Sequence, residues 1–306
     1  MRILRGLFAG LRGRAQGGAR ADRLAARTAC NPIVASGCTG RRPAAARLAA
    51  LLACAALAGC AARGPGGYVL DTSLSSRGQS SRVQFIVLHY TAGSLERSLH
   101  VLSHGQVGAH YVVTDEQPPR LLRMVDESRS AWHAGESAWR GYTWLNSSSI
   151  GVEIVNPGWT RGPDGAMRWH PYPDWQIDAV IALVRDLAER HGVKPENIVG
   201  HSDIAPRRKM DPGPLFPWKR LADAGLGRWY DETLAARYLA QFQAEGLPEI
   251  GWFQQHLARI GYDVPQSGVA DDATQAALAA FQLHYRPRDF SGLPDAETAA
   301  LLAAMP

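Results

Sequence analysis

Two short, unbroken apolar runs limit the folds open to this chain: VQFIVLHY at 83–90 and SIGVEIVN at 149–156. Runs of this length and continuity belong to strands covered on both faces, as in a sheet with helices packed over it. YVVT (111–114) and RLLRMV (120–125) read as two more strands joined by a Pro-Pro turn, and NIVGH (197–201) as a short fifth. WQIDAVIALVRDLAERHG (175–192) has a helical period instead. Ile177, Val180, Ile181, Val184 and Leu187 fall on one stripe, Asp174 is the expected cap and Gly192 the expected stop. Strands alternating with helices predict an α/β fold, with a mixed central β-sheet flanked by helices.

After Trp229 the texture changes. Residues 232–245 read as a connecting helix, and 248–261, 271–285 and 294–304 as three short helices separated by GYDVPQSG and DFSGLPD. About 60 residues of this kind make a second, small three-helix domain. Its apolar positions Leu257, Ile260, Leu278, Phe281 and Leu302 are expected to be core.

The net charge of +5 misleads. Residues 1–59 hold ten arginines, no lysine and one acid, Asp22. Removing them from the 33 cations and 28 acids leaves 23 against 27, a net of −4. The basic character belongs to the leader, and nothing in the body argues for nucleic acid. All four cysteines (Cys30, Cys38, Cys54 and Cys60) also lie in the first 60 residues, so neither disulfides nor thiolate metal ligands are expected in the globular part. RLAALLACAALAGC (47–60) is a cation followed by an apolar run of about 12 residues, signal-peptide length and too short to span a bilayer. It ends in Leu57-Ala58-Gly59-Cys60, which resembles the bacterial lipobox, whose cysteine is lipidated after cleavage. An ordinary secretory signal or an apolar anchor is the plainer alternative. Residue 61 is Ala and not Asp, which resembles lipoproteins sorted to the outer membrane. The stretch before Arg47 is longer than a signal peptide needs and reads as an over-extended gene start. Residues 60–80 are Gly/Ser/Arg-rich and read as a tether.

The candidate chemistry centres on GHSDIAPRRKMDPGPLFPW (200–218), too rich in proline and glycine to be a helix and so expected to be a stiff loop. It carries His201, Lys209 and Asp211, while His89 ends the first buried strand on the face of Phe85 and Val87. Two histidines and a carboxylate without thiols suit Zn²⁺ with a fourth position left for water, although each is also common in structural roles. Glu153 is a carboxylate inside an apolar strand, which is costly unless it is paired or used. It reads as a buried ion-pair partner or as a general base. Lys209 faces a developing oxyanion or is a solvated loop charge, the reading preferred for Arg207. His100 and His104 are four apart on an expected helix but lack a neighbouring glutamate and a third ligand, and read as surface residues. His170, in a Trp/Pro-rich loop, has no visible partner.

VLHYTA, GAHYVV, AWHAG, LNSSSIGVEIVN and GHSDIAPRRKMDPGPLFPW occur in that order over residues 81–227. Together they resemble the zinc N-acetylmuramoyl-L-alanine amidases related to phage lysozyme-type amidases and peptidoglycan-recognition proteins. With the lipobox, the likeness is to the lipid-anchored outer-membrane amidases of Gram-negative bacteria. The resemblance implies that His89, His201 and Asp211 bind one Zn²⁺ per chain and that Glu153 is the catalytic carboxylate. It implies that Lys209 stabilises the tetrahedral intermediate and that Arg208, Trp132 and His133 hold the anionic substrate. His110 is expected to be structural or part of the site wall. No metal ligand is missing, which weighs against a binding-only relative.

WFQQHLARIGYDVPQSGVADDATQAALAAFQ (252–282) resembles the three-helix peptidoglycan-binding domain over 246–306. The expected organisation is a leader and signal peptide (1–59), a lipidated tether (60–80), a zinc amidase domain (81–227), a connecting helix (228–245) and a peptidoglycan-binding domain (246–306). The implied reaction cuts the amide between the lactyl group of N-acetylmuramic acid and L-alanine in cell-wall turnover. A non-catalytic peptidoglycan-binding lipoprotein, or a zinc peptidase acting within the stem peptide, are the other readings. The expected partners are peptidoglycan, muropeptides and the outer membrane through a lipid anchor, with the protein a monomer facing the periplasm.

Overall fold

Strand β3 (Phe85–Tyr90) is the spine of the molecule. The structure, a computed structural model, describes residues 62–63 and 67–306. The leader, the signal segment and Cys60 lie outside the described residues. The described residues up to Ser75 belong to a unit of their own, with β1 (Ala62–Arg63) paired antiparallel to β2 (Val69–Leu70). The rest, from Ser76 to Pro306, is a second unit.

In that second unit β3 lies between β11 (Ile198–Gly200) and β8 (Ser149–Ile154), parallel to both. Beyond β8 come β4 (Tyr111–Val113), again parallel, and β5 (Leu121–Arg123), antiparallel. The five-stranded order is β11-β3-β8-β4-β5, the mixed sheet expected, and β6 (Ala138–Trp139) and β7 (Tyr142–Thr143) form a separate antiparallel pair. Alternation along β3 sends Ile86 and Leu88 to one face and Phe85, Val87 and His89 to the other. On the first face, helix α2 (Asp174–His191) buries Ile177, Val180, Leu183, Val184 and Leu187 against β3 and β8. Ile181, expected in the stripe, is only partly buried, and Leu183 takes the inner position. Gly192 ends the helix at φ +70°, as expected. Asp174 does not cap it: it is the first helical residue, and its carboxylate receives Arg220 at 3.0 Å. Helix α1 (Leu95–His104) follows β3, and its His100 and His104 rings stack with centroids 4.9 Å apart.

The segment after β11 departs from the expected loop. His201–Ile204 forms one turn of helix, α3. Its four residues contain no breaker. Gly200 precedes them and Pro206, Pro212, Pro214 and Pro217 all follow, so the prolines shape what comes after the turn and not the turn itself. His170 also has a partner after all: its Nε2 lies 2.9 Å from Thr160 Oγ1 across the hairpin of β9 (Trp159–Arg161) and β10 (Met167–Trp169).

After the short helix α4 (Trp218–Asp223), the helical part comprises α5 (Glu232–Glu245), α6 (Ile250–Ile260), α7 (Asp272–Tyr285) and α8 (Ala296–Ala303). Leu257, Ile260, Leu278, Phe281 and Leu302 are all buried, as expected of a core. That core is not self-contained. The same apolar cluster runs on through Tyr262, Trp139, Ile204 and Val199 to Phe85 and Val87 on the second face of the sheet. Leu187→Ala, which hollows the α2 face, should cost about 2–5 kcal/mol. Denaturant unfolding checks this, with turnover well below the melting temperature unchanged.

Candidate metal centre

Three side chains meet at the C-terminal end of β3. His89 Nδ1 lies 2.9 Å from His201 Nδ1 and 2.9 Å from Asp211 Oδ2, and His201 Nδ1 lies 3.0 Å from the same oxygen. All three residues are buried. The backbone brings them together: His89 is carried by β3, His201 opens α3 straight after the neighbouring β11, and Ser202 N donates to Asp211 O at 2.9 Å. Gly200 allows the return of the chain, because a Cβ there would sit 2.8 Å from Pro212 Cδ.

The hydrogen bonds behind these rings decide which nitrogens carry protons. Ser149 Oγ donates to the Leu145 carbonyl at 2.6 Å and so accepts from His133 Nε2 at 3.0 Å. His133 Nδ1 then accepts from His89 Nε2 at 3.0 Å, leaving His89 Nδ1 as a bare lone pair. His201 Nε2 donates to the Ala134 carbonyl at 3.1 Å, which leaves its Nδ1 bare as well. Two lone pairs and a carboxylate oxygen thus face one another in a buried space. That arrangement is repulsive unless a cation lies among them, and its nitrogen and oxygen donors fit a metal ion. Burial, then the neighbouring His201, pushes the His89 pKa down to about 4, so the ring is a neutral ligand at pH 7. Burial likewise drives His133 well below the ordinary histidine value.

Glu153 is the register partner of His89 on β8, so their side chains lie side by side on one face. Its Oε2 is buried without a hydrogen-bond partner. Burial, then the nearby Asp211, raises its pKa well above the ordinary glutamate value, against a smaller pull from Lys209. It is not the ion-paired carboxylate that was the alternative. A recess of about 60 Å³ lined by Thr91, Arg97, Ser98 and Val101 reaches it from α1. A larger cleft, about 370 Å³, is lined by Trp144, Ile204, Arg208 and Asp263 and by none of the three converging donors.

The sequence of residues 79–214 matches the N-acetylmuramoyl-L-alanine amidase family, and residues 247–302 match a peptidoglycan binding domain family. N-acetylmuramoyl-L-alanine amidase AmiD of Escherichia coli is 42% identical over 258 residues, 81% of this chain and 93% of that protein. The chain belongs to the N-acetylmuramoyl-L-alanine amidases. The fold agrees. The structure of AmiD in complex with anhydro-N-acetylmuramic acid-L-Ala-D-gamma-Glu-L-Lys superposes with a TM-score of 0.69 at 40% identity, covering 79% of this chain and 95% of that one. AmpDh3 from Pseudomonas aeruginosa in complex with anhydromuramic pentapeptide gives 0.70 at 38% identity, covering 77% and 96%.

In this amidase the other residues singled out from the sequence fall into two groups. Lys209 is half-buried, near enough for its charge to act on both His89 and Glu153. Arg208 turns its guanidinium to backbone carbonyls, with Nη2 3.0 Å from Ala134 O and also bonded to Glu136 O. Trp132 points outward, 65% exposed. His133 lies directly behind His89, and a Cβ on Gly151 would be 2.3 Å from its Cγ, so only glycine leaves room for the ring. His110 is structural: it accepts from Gly151 N at 3.0 Å and sits by the Arg129 carbonyl at 3.1 Å. Sequence reasoning missed Ser149 and Asn146. Asn146 Oδ1 gathers the backbone N–H groups of His133, Ala134 and Gly135 at 3.1, 2.8 and 3.4 Å and so shapes the AWHAG turn. Both lie inside a quoted motif, but only the fold shows whom they touch.

A buried carboxyl with a raised pKa destabilises the fold as pH rises from the unfolded-state value toward the folded one, because only the folded state then holds the proton. Glu153→Gln removes that penalty. It should raise the melting temperature of the metal-free protein at pH 7, by about 2–4 °C for each kcal/mol recovered. The gain should vanish in acid, below the ordinary glutamate range. Calorimetry at both pH values checks this.

Proposed function

We propose that this protein hydrolyses the amide between the lactyl group of N-acetylmuramic acid and L-alanine of the peptidoglycan stem peptide, with Zn²⁺ held by His89, His201 and Asp211. The observation that carries the reading is the buried, unpartnered Oε2 of Glu153 beside three converging donors. The muropeptide complexes of AmiD and AmpDh3 support the substrate class. When bound, zinc supplies a Lewis acid for the amide carbonyl and lowers the pKa of a water beside it.

Glu153 takes the proton of the attacking water. Burial gives it enough proton affinity to keep that proton and return it to the leaving L-alanine amine. Lys209 faces the oxyanion that develops as the carbonyl becomes tetrahedral. His133 and Ser149 hold the His89 ring in the ligating tautomer throughout. Arg208 and Trp132 border the substrate, Arg208 by fixing the 134–136 backbone and Trp132 by an exposed ring.

By the same reading the catalytic part is 81–227 and the helices of 246–306 bind the wall, joined through 228–245. The sequence Leu57-Ala58-Gly59-Cys60 supports cleavage before Cys60, its lipidation and residence at the outer membrane facing the periplasm. Anchoring raises the local concentration of wall fragments at the enzyme.

Soluble protein starting at Ala61, incubated with purified muropeptides and analysed by mass spectrometry, should release sugar and intact stem peptide. Activity should be lost to a chelator and restored by Zn²⁺. Glu153→Gln should lower kcat by about 10²–10⁴-fold, and Lys209→Ala by about 10²–10³-fold. Cleavage within the stem peptide would mean a peptidase, and intact muropeptides with zinc bound would mean a binding protein.

A further inference from the structure

A second buried carboxylate lies close to the metal ligands and takes no part in the chemistry above. Asp203 is 1% exposed and belongs to α3, the single turn that begins with His201. Its Oδ2 accepts from Gly200 N at 2.7 Å, the peptide immediately before the metal ligand. The other two partners come from the C-terminal helical part, 59 and 81 residues away. Tyr262 Oη donates to Oδ1 at 2.7 Å, and His284 Nδ1 lies 2.9 Å from Oδ2.

Both partners are themselves held. The His284 ring stacks on Trp218 with centroids 3.9 Å apart and planes 13° apart. Tyr262 meets the edge of Trp139 at 4.9 Å, and Arg140 N donates to Gly261 O at 2.8 Å. Gly261 has φ +143°, and a Cβ there would sit 2.7 Å from Trp139 Cε2, so this approach is specified down to one atom.

A wall-binding module that merely hangs on a linker has no use for such contacts. A buried carboxylate is costly unless its oxygens are satisfied, and here two of the three donors come from that module. They act on the same carboxylate that caps the start of α3, and a one-turn helix has little else to fix its direction. We propose that Tyr262 and His284 are positioning residues for the amidase reaction: through Asp203 they set the orientation of α3 and hence of the His201 imidazole. The C-terminal helices are then part of the catalytic apparatus as well as a wall-binding unit. This rests on His201 being a zinc ligand, as proposed above.

The test uses the whole chain from Ala61, so that the helical part is never removed. Tyr262→Phe deletes one oxygen, His284→Leu removes the ring donor, and His284→Asn keeps an N–H donor at the Nδ1 position. Zinc affinity is measured by competition with a chromogenic chelator. At saturating zinc, kcat and KM are measured on a soluble muropeptide without a glycan chain, at a temperature where circular dichroism shows each variant folded. Tyr262→Phe and His284→Leu should each weaken zinc binding by about tenfold or more. Each should also lower kcat with KM little changed, and His284→Asn should recover most of both losses. If His284→Leu does not fold, Tyr262→Phe and His284→Asn carry the comparison. Variants that melt earlier but keep wild-type zinc affinity and kcat would overturn the proposal and make the cluster packing alone. An unaltered chain that binds no zinc would instead overturn the metal reading on which the proposal rests.

Discussion

Parallel pairing of β3 with β8 sets His89 directly beside Glu153, and the site is organised around that register. Side chains alternate along a strand, so a slip of one residue would send the carboxylate to the α2 face, among Ile177, Val180 and Val184. The slip is prevented by both faces at once. Ile86, Leu88, Ile150 and Val152 are buried on the helix side, and Gly151 must lie under the His133 ring on the other. The hydrophobic core and the geometry of the His89–Glu153 pair are therefore specified by the same ladder.

From that register the three converging donors are built outward. β11 lies on the other side of β3 and delivers His201 at its end, and the chain then turns back to place Asp211. Behind each histidine a protein acceptor fixes the tautomer: the His133–Ser149–Leu145 chain for His89, the Ala134 carbonyl for His201. The backbone carbonyls at the ends of these chains can only accept. The lone pairs at the front therefore follow from ordinary hydrogen-bond accounting without any assumption about the ion. Glu153 Oε2 stays buried without a hydrogen-bond partner, a cost that a fold bears at positions where a polar group has a use beyond stability.

The helical part joins this arrangement through a continuous apolar cluster and through Asp203. A core that runs from Phe281 to Phe85 without a break, with a buried carboxylate shared across it, argues for one mechanical body from Ser76 onward. Separate matches to an amidase family and a binding-domain family describe ancestry along the chain, whereas the packing describes how the two parts now depend on each other.

Much of this was legible in the residues themselves. Apolar runs at 83–90 and 149–156 identified the buried strands, the period of 175–192 its helix, and Leu257, Phe281 and Leu302 the second core, because burial pattern follows local periodicity. His89, His201 and Glu153 stand out because ionisable groups at the ends or middles of apolar strands need a reason to be there, and Asp211 because it follows His201 on the same proline-rich segment. Tertiary structure alone decided the rest. The turn of helix at His201–Ile204 depended on exactly where the breakers fall and on a cap from Asp203, not on their number. The tautomers depended on Ser149 and Ala134, and the role of Asp203 on Tyr262 and His284, partners tens of residues away. Periodicity reports which side of an element is buried. It carries no information about which distant donor meets a given acceptor, and that choice is made only when the chain closes on itself.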